Sequence, residues 1–443
     1  MANSNHSLEP EIEINLLKIK SLQLHNFRFF GDDENHNTFN FDSENTIIFG
    51  ENGSGKSSIF KAFEFLAKDV IEESEFLDSK NIFTNSSTEL SFELSNGDTT
   101  ILDDDNFNMT EDYLTQFSIL KPILDYKSLL KLNYRDIDFH KKSVNIYPVL
   151  KKLFKNYEIE GGKTLSSITN PDEYFEKLKE IVNSLLENIR YFIQKLSDEF
   201  NLEDFFFNKE FSENQNGTEF IVNIELSYRD KNIEKHHLFF NEARLSALAI
   251  SIYFAIIKKF AELETGDSIR VLVLDDLLIS LDMSNRMKLL KVLKEDFSDF
   301  QVIFLTHDRE LFEVYKSSFK KKYEISLKSE DNLEKPFVKK HLNYFELAEK
   351  HFSEFDYPAC ANYLRKEVER LKEIKKKQED SQNSEEVLFK KFKKLLDKED
   401  LTDPEQHSRT VGKLIGLKKG FESETSSKVK IDYRYDFKSI LSR

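Results

Sequence analysis

Lys56 and Ser57 have the residue types and the spacing to handle phosphate. They close the stretch Gly50-Glu51-Asn52-Gly53-Ser54-Gly55-Lys56-Ser57, which fits G-x-x-x-x-G-K-[ST], and Ser58 follows. Glycines at 50, 53 and 55 let a backbone wrap a phosphate chain with its amides pointing inward. Lys56 reaches the terminal phosphates as a point charge, and the Ser57 hydroxyl is placed to ligate Mg²⁺. The competing reading is an ordinary Gly-rich turn before a helix. The flanks argue against it. A short apolar run ends at Phe49, and Ile59–Leu66 has helical apolar spacing, so the motif sits between a strand and a helix N-terminus.

Two aspartates and a histidine extend this chemistry. Arg270-Val271-Leu272-Val273-Leu274-Asp275-Asp276 reads as a fully buried parallel strand with acids at its carboxyl end. Asp275 is placed to complete the Mg²⁺ shell begun by Ser57. Asp276 can polarise an attacking water or serve as a second structural acid. Gln301–Thr306 reads as another core strand, ending in His307-Asp308. His307 is there to sense a terminal phosphate or is an ordinary packed histidine; its place after an apolar strand favours the first.

The elements that must position these groups follow from periodicity. Residues 15–30 and Phe39-Asn40-Phe41 read as a small antiparallel region, and Thr88–Leu94 with Thr99–Leu102 as a hairpin around Ser95-Asn96-Gly97-Asp98. Arg28 is either a solvated strand-end arginine or a phosphate contact. From about Asp103 to Asn216 the pattern predicts charged helices, clearest at Ile123–Leu132 and Tyr174–Phe200, the longer one as a short arm or lid. Glu158–Thr164 reads as a flexible turn. Strands are expected at Glu219–Leu226 and Lys235–Phe240, then an apolar helix after Asn241-Glu242-Ala243-Arg244. Beyond Glu324 the pattern predicts charged helix to the end, with a helical hairpin over Tyr344–Lys377 broken near Asp356-Tyr357-Pro358. Four regions result: 1–102, 103–218, 219–325 and 326–443.

Composition narrows the class. The 443 residues are 39% hydrophobic and 33% charged, as in a soluble globular protein. A net charge of −16 argues against a DNA-coating surface, though not against a local basic groove; Lys375–Lys377 and Lys390–Lys394 read more readily as solvated helix faces. One cysteine, Cys360, allows no internal disulfide and suits a reducing cytoplasm. The first residues lack a signal-peptide pattern, and the longest apolar run, Leu245–Ile257, is short for a bilayer, so no membrane association is expected.

In this order the motifs resemble the ATPase heads of the ABC superfamily, in the branch of SMC, RecF and related repair or defence ATPases. Leu24, Asn26, Phe27, Arg28 and Phe30 match near the start. Gly50–Ser57 resembles Walker A, Leu272–Asp276 Walker B, Ser280-Leu281-Asp282 the D-loop and Thr306-His307-Asp308 the H-loop. The resemblance covers residues 15–100 and 219–325. It implies an α/β, two-lobed head with a mixed sheet, a helical insertion and a helical C-terminal region. It also implies ATP and Mg²⁺ as cofactors, and heads that pair as a homodimer or higher oligomer, so that the signature of one contacts the nucleotide of the other.

The chain departs from the family pattern in places. Where the family signature reads Ser-Gly-Gly followed by Gln or Glu, this chain has Asn241-Glu242-Ala243-Arg244. Asn241 can donate from a helix N-terminus and Arg244 can meet phosphate in trans, or these are simple helix-start charges. Asp276 replaces the glutamate common in transporters, which implies slow or partner-dependent hydrolysis. No Q-loop glutamine stands out; Asp125-Tyr126-Lys127 occupies its place. The chain looks like the small SMC-like ATPases of anti-phage systems such as Septu, which implies a separate effector, such as a nuclease. No acid cluster like that of a Toprim nuclease follows Glu324, so no nuclease activity is expected within the chain. The other readings are a RecF-like DNA-binding repair ATPase and a nucleotide-binding scaffold with little hydrolysis.

Overall fold

The computed structural model describes residues 15–32, 37–68, 70–84, 86–108, 111–120, 122–125, 145–154, 157–159, 163–197, 200–212, 217–229, 231–234, 239, 241–263, 267–277, 283–330 and 333–377. The chain divides into two compact units, Met1–Lys340 and His341–Arg443.

The first unit begins with β1 (Leu16–Leu17), β2 (Ile19–His25), β3 (Thr38–Asn40) and β4 (Thr46–Gly50). Helices α1 (Lys56–Leu66) and α2 (Glu73–Leu77) follow, then the hairpin of β5 (Glu89–Leu94) and β6 (Thr99–Asp103). Next come α3 (Asp112–Leu120), β7 (Ile123–Asp125), α4 (Tyr147–Leu153) and the short pair β8 (Glu158–Ile159) and β9 (Lys163–Thr164). Helices α5 (Pro171–Ser184) and α6 (Leu186–Leu196) lead to β10 (Asn201–Ser212), β11 (Gly217–Tyr228) and β12 (Lys231–Asn232). The helix α7 (Glu242–Leu263) precedes β13 (Ser268–Ile269), β14 (Val271–Asp275), α8 (Met283–Glu295) and β15 (Gln301–Thr306). Then come α9 (Arg309–Tyr315), β16 (Lys321–Glu330) and β17 (Leu333–Lys340).

The central sheet has the order β17-β16-β4-β15-β14-β7, and all its pairings are parallel except β16 with β17. Its middle strands are apolar on both faces because both faces are covered. Ile47, Phe49, Leu272, Leu274, Val302 and Phe304 pack into one core with α5, α6 and α7. Their neighbours Ile48, Val271, Val273, Ile303 and Leu305 point the other way, into a second core with α1 and the antiparallel sheet β3-β2-β5-β6. Gln301 joins the layers. Fully buried, it accepts from the Ile19 N–H (2.8 Å) and donates to the carbonyls of Ile19 (2.9 Å) and Glu44 (3.2 Å).

The fold is the mixed α/β architecture expected, with local corrections. Ile123–Asp125 is a strand rather than the start of a helix; it pairs with β14, and 126–144 lie outside the described residues. Tertiary pairing overrides the helical pattern there. The helix predicted over Tyr174–Phe200 is two helices that part at Leu185; the first starts at Pro171, capped by Asn170 accepting from the Asp172 and Glu173 N–H groups. Among the described residues α6 packs on the core: Phe192 lies edge-on to Phe254 of α7 and beside Phe297. Glu158–Thr164 forms the β8/β9 pair around 160–162, which lie outside the described residues.

The pattern also missed β10, which pairs with β11 over most of its length. Of the strand expected at Lys235–Phe240, only Phe239 is among the described residues, in a helical turn. The segment from Glu324 onward begins not as helix but as the β16/β17 hairpin. Its lysines and Pro336 disguise it, yet they are what an edge strand carries. The second unit holds α10 (Tyr344–Ser353) and α11 (Tyr357–Lys377), a helical pair broken where expected; α10 opens on a capping box of Asn343 and Glu346.

Candidate nucleotide site

The phosphate loop leaves β4 at Gly50 and enters α1 at Lys56. Gly55 has φ +107° and lies against the aromatic pair before it: a Cβ there would stand 3.1 Å from Phe30 and 3.3 Å from Phe29. Gly53 has φ +83° but open space around it, so its demand is on the backbone alone. Lys56 is 5% exposed, and its ammonium donates to the carbonyls of Gly50 (2.5 Å) and Glu51 (3.1 Å). Burial pushes its pKa below the ordinary lysine value; the carboxylates of Asp276 and Asp275 pull in the opposite direction. Those two acids therefore act electrostatically on the loop lysine, as a shared site requires.

The loop fits a phosphate chain on its own atoms. Ser54 Oγ is buried and has no hydrogen-bond partner, an arrangement that a phosphate oxygen would satisfy. Ser57 is exposed in the first turn of α1, while Ser58 is buried and its Oγ takes the Phe29 N–H at 3.5 Å. Glu51 and Asn52 are exposed at the loop tip. Arg28 is exposed with φ 52°, its N–H donating to the Ser79 carbonyl.

Register brings the acids to the same edge. Thr306 is paired with Phe49, and Asp275 with Leu305, so the carboxyl ends of β4, β15 and β14 line up. Ligands of open parallel sheets sit at such ends. Asp275 closes β14, and Asp125 of β7 is its partner in register on the far side. Among the described residues no group of three or more His, Cys, Asp or Glu could hold a metal. A metal here would depend on Ser57, Asp275 and bound phosphate, the usual economy of a Mg²⁺ site.

Asp276 turns out of the strand into a left-handed backbone, φ 50°. Its N–H still donates to the Leu305 carbonyl (3.0 Å), and its Oδ1 accepts the His307 N–H (2.8 Å). The His307 ring reaches the same oxygen: Nδ1 lies 2.8 Å away, at ion-pair range but without hydrogen-bond alignment, so the backbone N–H is the bond that holds the pair.

The structure thus places Lys56, Ser57, Asp275, Asp276 and His307 on one edge. Asn241–Arg244 form the start of α7. Asn241 Oδ1 accepts the Arg244 N–H (2.9 Å), so its oxygen caps the helix, and the Arg244 guanidinium donates to the Phe239 carbonyl (2.6 Å) over the Phe239 ring. Ala243 is half-buried and Glu242 is the first residue of α7. Asp282, with Ser280 and Leu281, lies outside the described residues. Sequence reasoning missed two features. Ile123-Leu124-Asp125 repeats the apolar-then-acid ending of Val273-Leu274-Asp275, a signal that was there to be read. The ion pair of Arg286 with Asp308 (2.5 Å) left no such signal.

A glycine loop between a strand and a helix, with an acid at the carboxyl end of another parallel strand of the same sheet, defines a P-loop nucleotide-binding domain. The chain belongs to the family described as "AAA domain, putative AbiEii toxin, Type IV TA system", which matches residues 46–313, from β4 into α9. Solved structures similar to the chain include two SMC heads and a RecF. An SMC head bound to the C-winged helix domain of ScpA is 14% identical, with 73% of this chain and 98% of that chain covered and a TM-score of 0.45. The recombination mediator RecF with ATPrS is 14% identical, at 74% and 100% coverage and a TM-score of 0.41. The SMC head domain from Thermotoga maritima is 14% identical, at 73% and 99% coverage and a TM-score of 0.39. No curated protein matches the chain. Likeness at this level carries nothing about activity or partners.

Proposed function

We propose that the chain is a Mg²⁺-dependent ATPase whose heads pair around nucleotide and whose pairing controls a separate effector protein. The observation that carries this reading is the common edge of β4, β14 and β15, which holds Lys56, Ser57, Asp275, Asp276 and His307 together.

The loop amides and Lys56 bind and orient the phosphate chain. Ser57 and Asp275 would hold Mg²⁺, which offsets phosphate charge when bound. Asp276 has Oδ1 committed to the His307 N–H. That bond aims the carboxylate, and Asp276 accepts a proton from water as the water oxygen bonds to the γ-phosphorus. The bond from that phosphorus to the β–γ bridging oxygen breaks, leaving ADP and inorganic phosphate. His307, held beside Asp276, faces the same terminal phosphate and steadies its charge.

Pairing of heads and control of an effector, such as a nuclease in an anti-phage system, rest on the resemblance in the motifs. The charge of −16 favours a protein partner over a nucleic-acid surface. The test is ATP turnover by the full chain across a range of protein concentrations, with and without duplex DNA. Specific activity that rises with concentration and ignores DNA supports this reading. Flat activity contradicts pairing. DNA binding that weakens steeply with salt would move the assignment to a RecF-like repair ATPase.

A further inference from the structure

His307 and Asp308 are neighbours that hold two different elements. His307 binds Asp276 at the end of β14 through its N–H. Asp308 binds Arg286, in the first part of α8, at 2.5 Å, with both side chains largely shielded from water. Asp308 has other anchors as well. Its Oδ1 caps α9 by accepting the Leu311 N–H (3.0 Å), and its own N–H donates to Thr306 Oγ1 (3.0 Å). Arg286 is fixed from the other side, because its carbonyl accepts the hydroxyl of Tyr315, a fully buried ring packed on Phe304 of β15. Burial raises the Asp308 pKa, but the Leu311 N–H and Arg286 together outweigh it and hold the group below the ordinary aspartate value, so it stays ionised for the pair.

We propose that Arg286 is a positioning residue for the nucleotide site, holding His307 against Asp276 through Asp308. The inference rests on the ATPase reading above. The cap to Leu311 engages only one of the Asp308 oxygens, Oδ1. The guanidinium on the other oxygen, Oδ2, locks the carboxylate and with it the backbone that presents the His307 N–H. The bonds above tie Arg286 to Asp308 and Tyr315, behind His307, so its loss is expected to act on the chemical step more than on ATP binding.

The experiment measures kcat and KM for ATP in the full chain for Arg286→Met, Arg286→Lys, Asp308→Asn and the Arg286→Met/Asp308→Asn double variant, with Lys56→Ala as control. The expected result is a fall in kcat of about tenfold for Arg286→Met with KM within about twofold of wild type, since misaligned groups lose rate before affinity. Arg286→Lys regains part of the loss, because lysine keeps the charge but not the planar fork. The double variant is no slower than the slower single one, as for residues that act as a unit. A lower melting temperature with unchanged kcat overturns the inference, as does a loss that sits in KM. If Arg286→Met does not fold, Arg286→Lys and Asp308→Asn decide the matter; asparagine keeps the helix cap and removes only the charge. Turnover that depends on Lys56 but ignores these variants sinks the inference alone. Turnover that survives Lys56→Ala, or none in wild type, removes the ATPase reading and this inference with it.

Discussion

His307 donates its backbone N–H to Asp276 Oδ1 at 2.8 Å, and Asp276 receives it from a left-handed backbone with φ 50°. The carboxylate is thus aimed by a turn that few residue types adopt without strain. Asparagine and aspartate tolerate it, and β-branched residues do not. Asp276→Asn is therefore expected to unfold in urea within about 0.5 kcal/mol of wild type. Asp276→Val should lose about 2 kcal/mol. Equal stability of the two variants would contradict the strained turn.

The loop glycines differ in what they meet. Gly53→Ala meets only a backbone cost, of about 1 kcal/mol. Gly55→Ala adds contact with Phe30 at 3.1 Å and Phe29 at 3.3 Å to a comparable backbone cost. Thermal unfolding should rank Gly55→Ala clearly below Gly53→Ala. The reverse order would mean that Phe29 and Phe30 do not press on the loop.

Gln301 is a buried amide serving three backbone groups of the first unit. Replacing it with leucine keeps the volume and strips these bonds from the Ile19 N–H and carbonyl, while the Glu44 carbonyl keeps the Thr46 hydroxyl (3.0 Å). The expected loss is about 3 kcal/mol in urea unfolding, from stranded buried donors and acceptors. A loss under about 1 kcal/mol would show that the Ile19 groups find other partners.

Cys360 reports on the second unit. Burial, with the carboxylates of Asp356 and Glu349 adding to it, pushes its thiol up to about 12. The folded state therefore keeps a proton that the unfolded chain releases near its ordinary value of about 8.5. By linkage the unit loses stability as pH rises above that value. Alkylation by iodoacetamide at pH 8.5 should be slow in the native chain and fast in denaturant. Rapid native labelling would contradict the burial.

What the sequence disclosed follows from how local each signal is. Gly50–Ser57 and Val271–Asp275 are read within single elements, since a phosphate loop and a buried parallel strand each carry their own pattern. The meeting of Asp276 with His307 is a matter of strand order, legible only as motif succession. Ile123–Asp125 carried an apolar-then-acid ending, but a strand of three residues held by β14 is outweighed by the helical pattern around it; the β16/β17 hairpin was hidden because pairing decides its state, with β16 held by β4 and lysines along its length. Arg286 lies in an amphipathic helix like many others, and only the fold shows that Asp308 faces it.

In the proposed reaction Asp276 acts on an ATP held by Lys56. Its most direct test is ATP turnover and ATP binding measured side by side for wild type, Lys56→Ala and Asp276→Asn. Lys56→Ala is expected to lose binding and turnover together. Asp276→Asn is expected to bind ATP within about twofold of wild type and to turn over at least about 100-fold more slowly, the scale of a lost general base. Asp276→Asn with full turnover, or Lys56→Ala with unimpaired ATP binding, would contradict it.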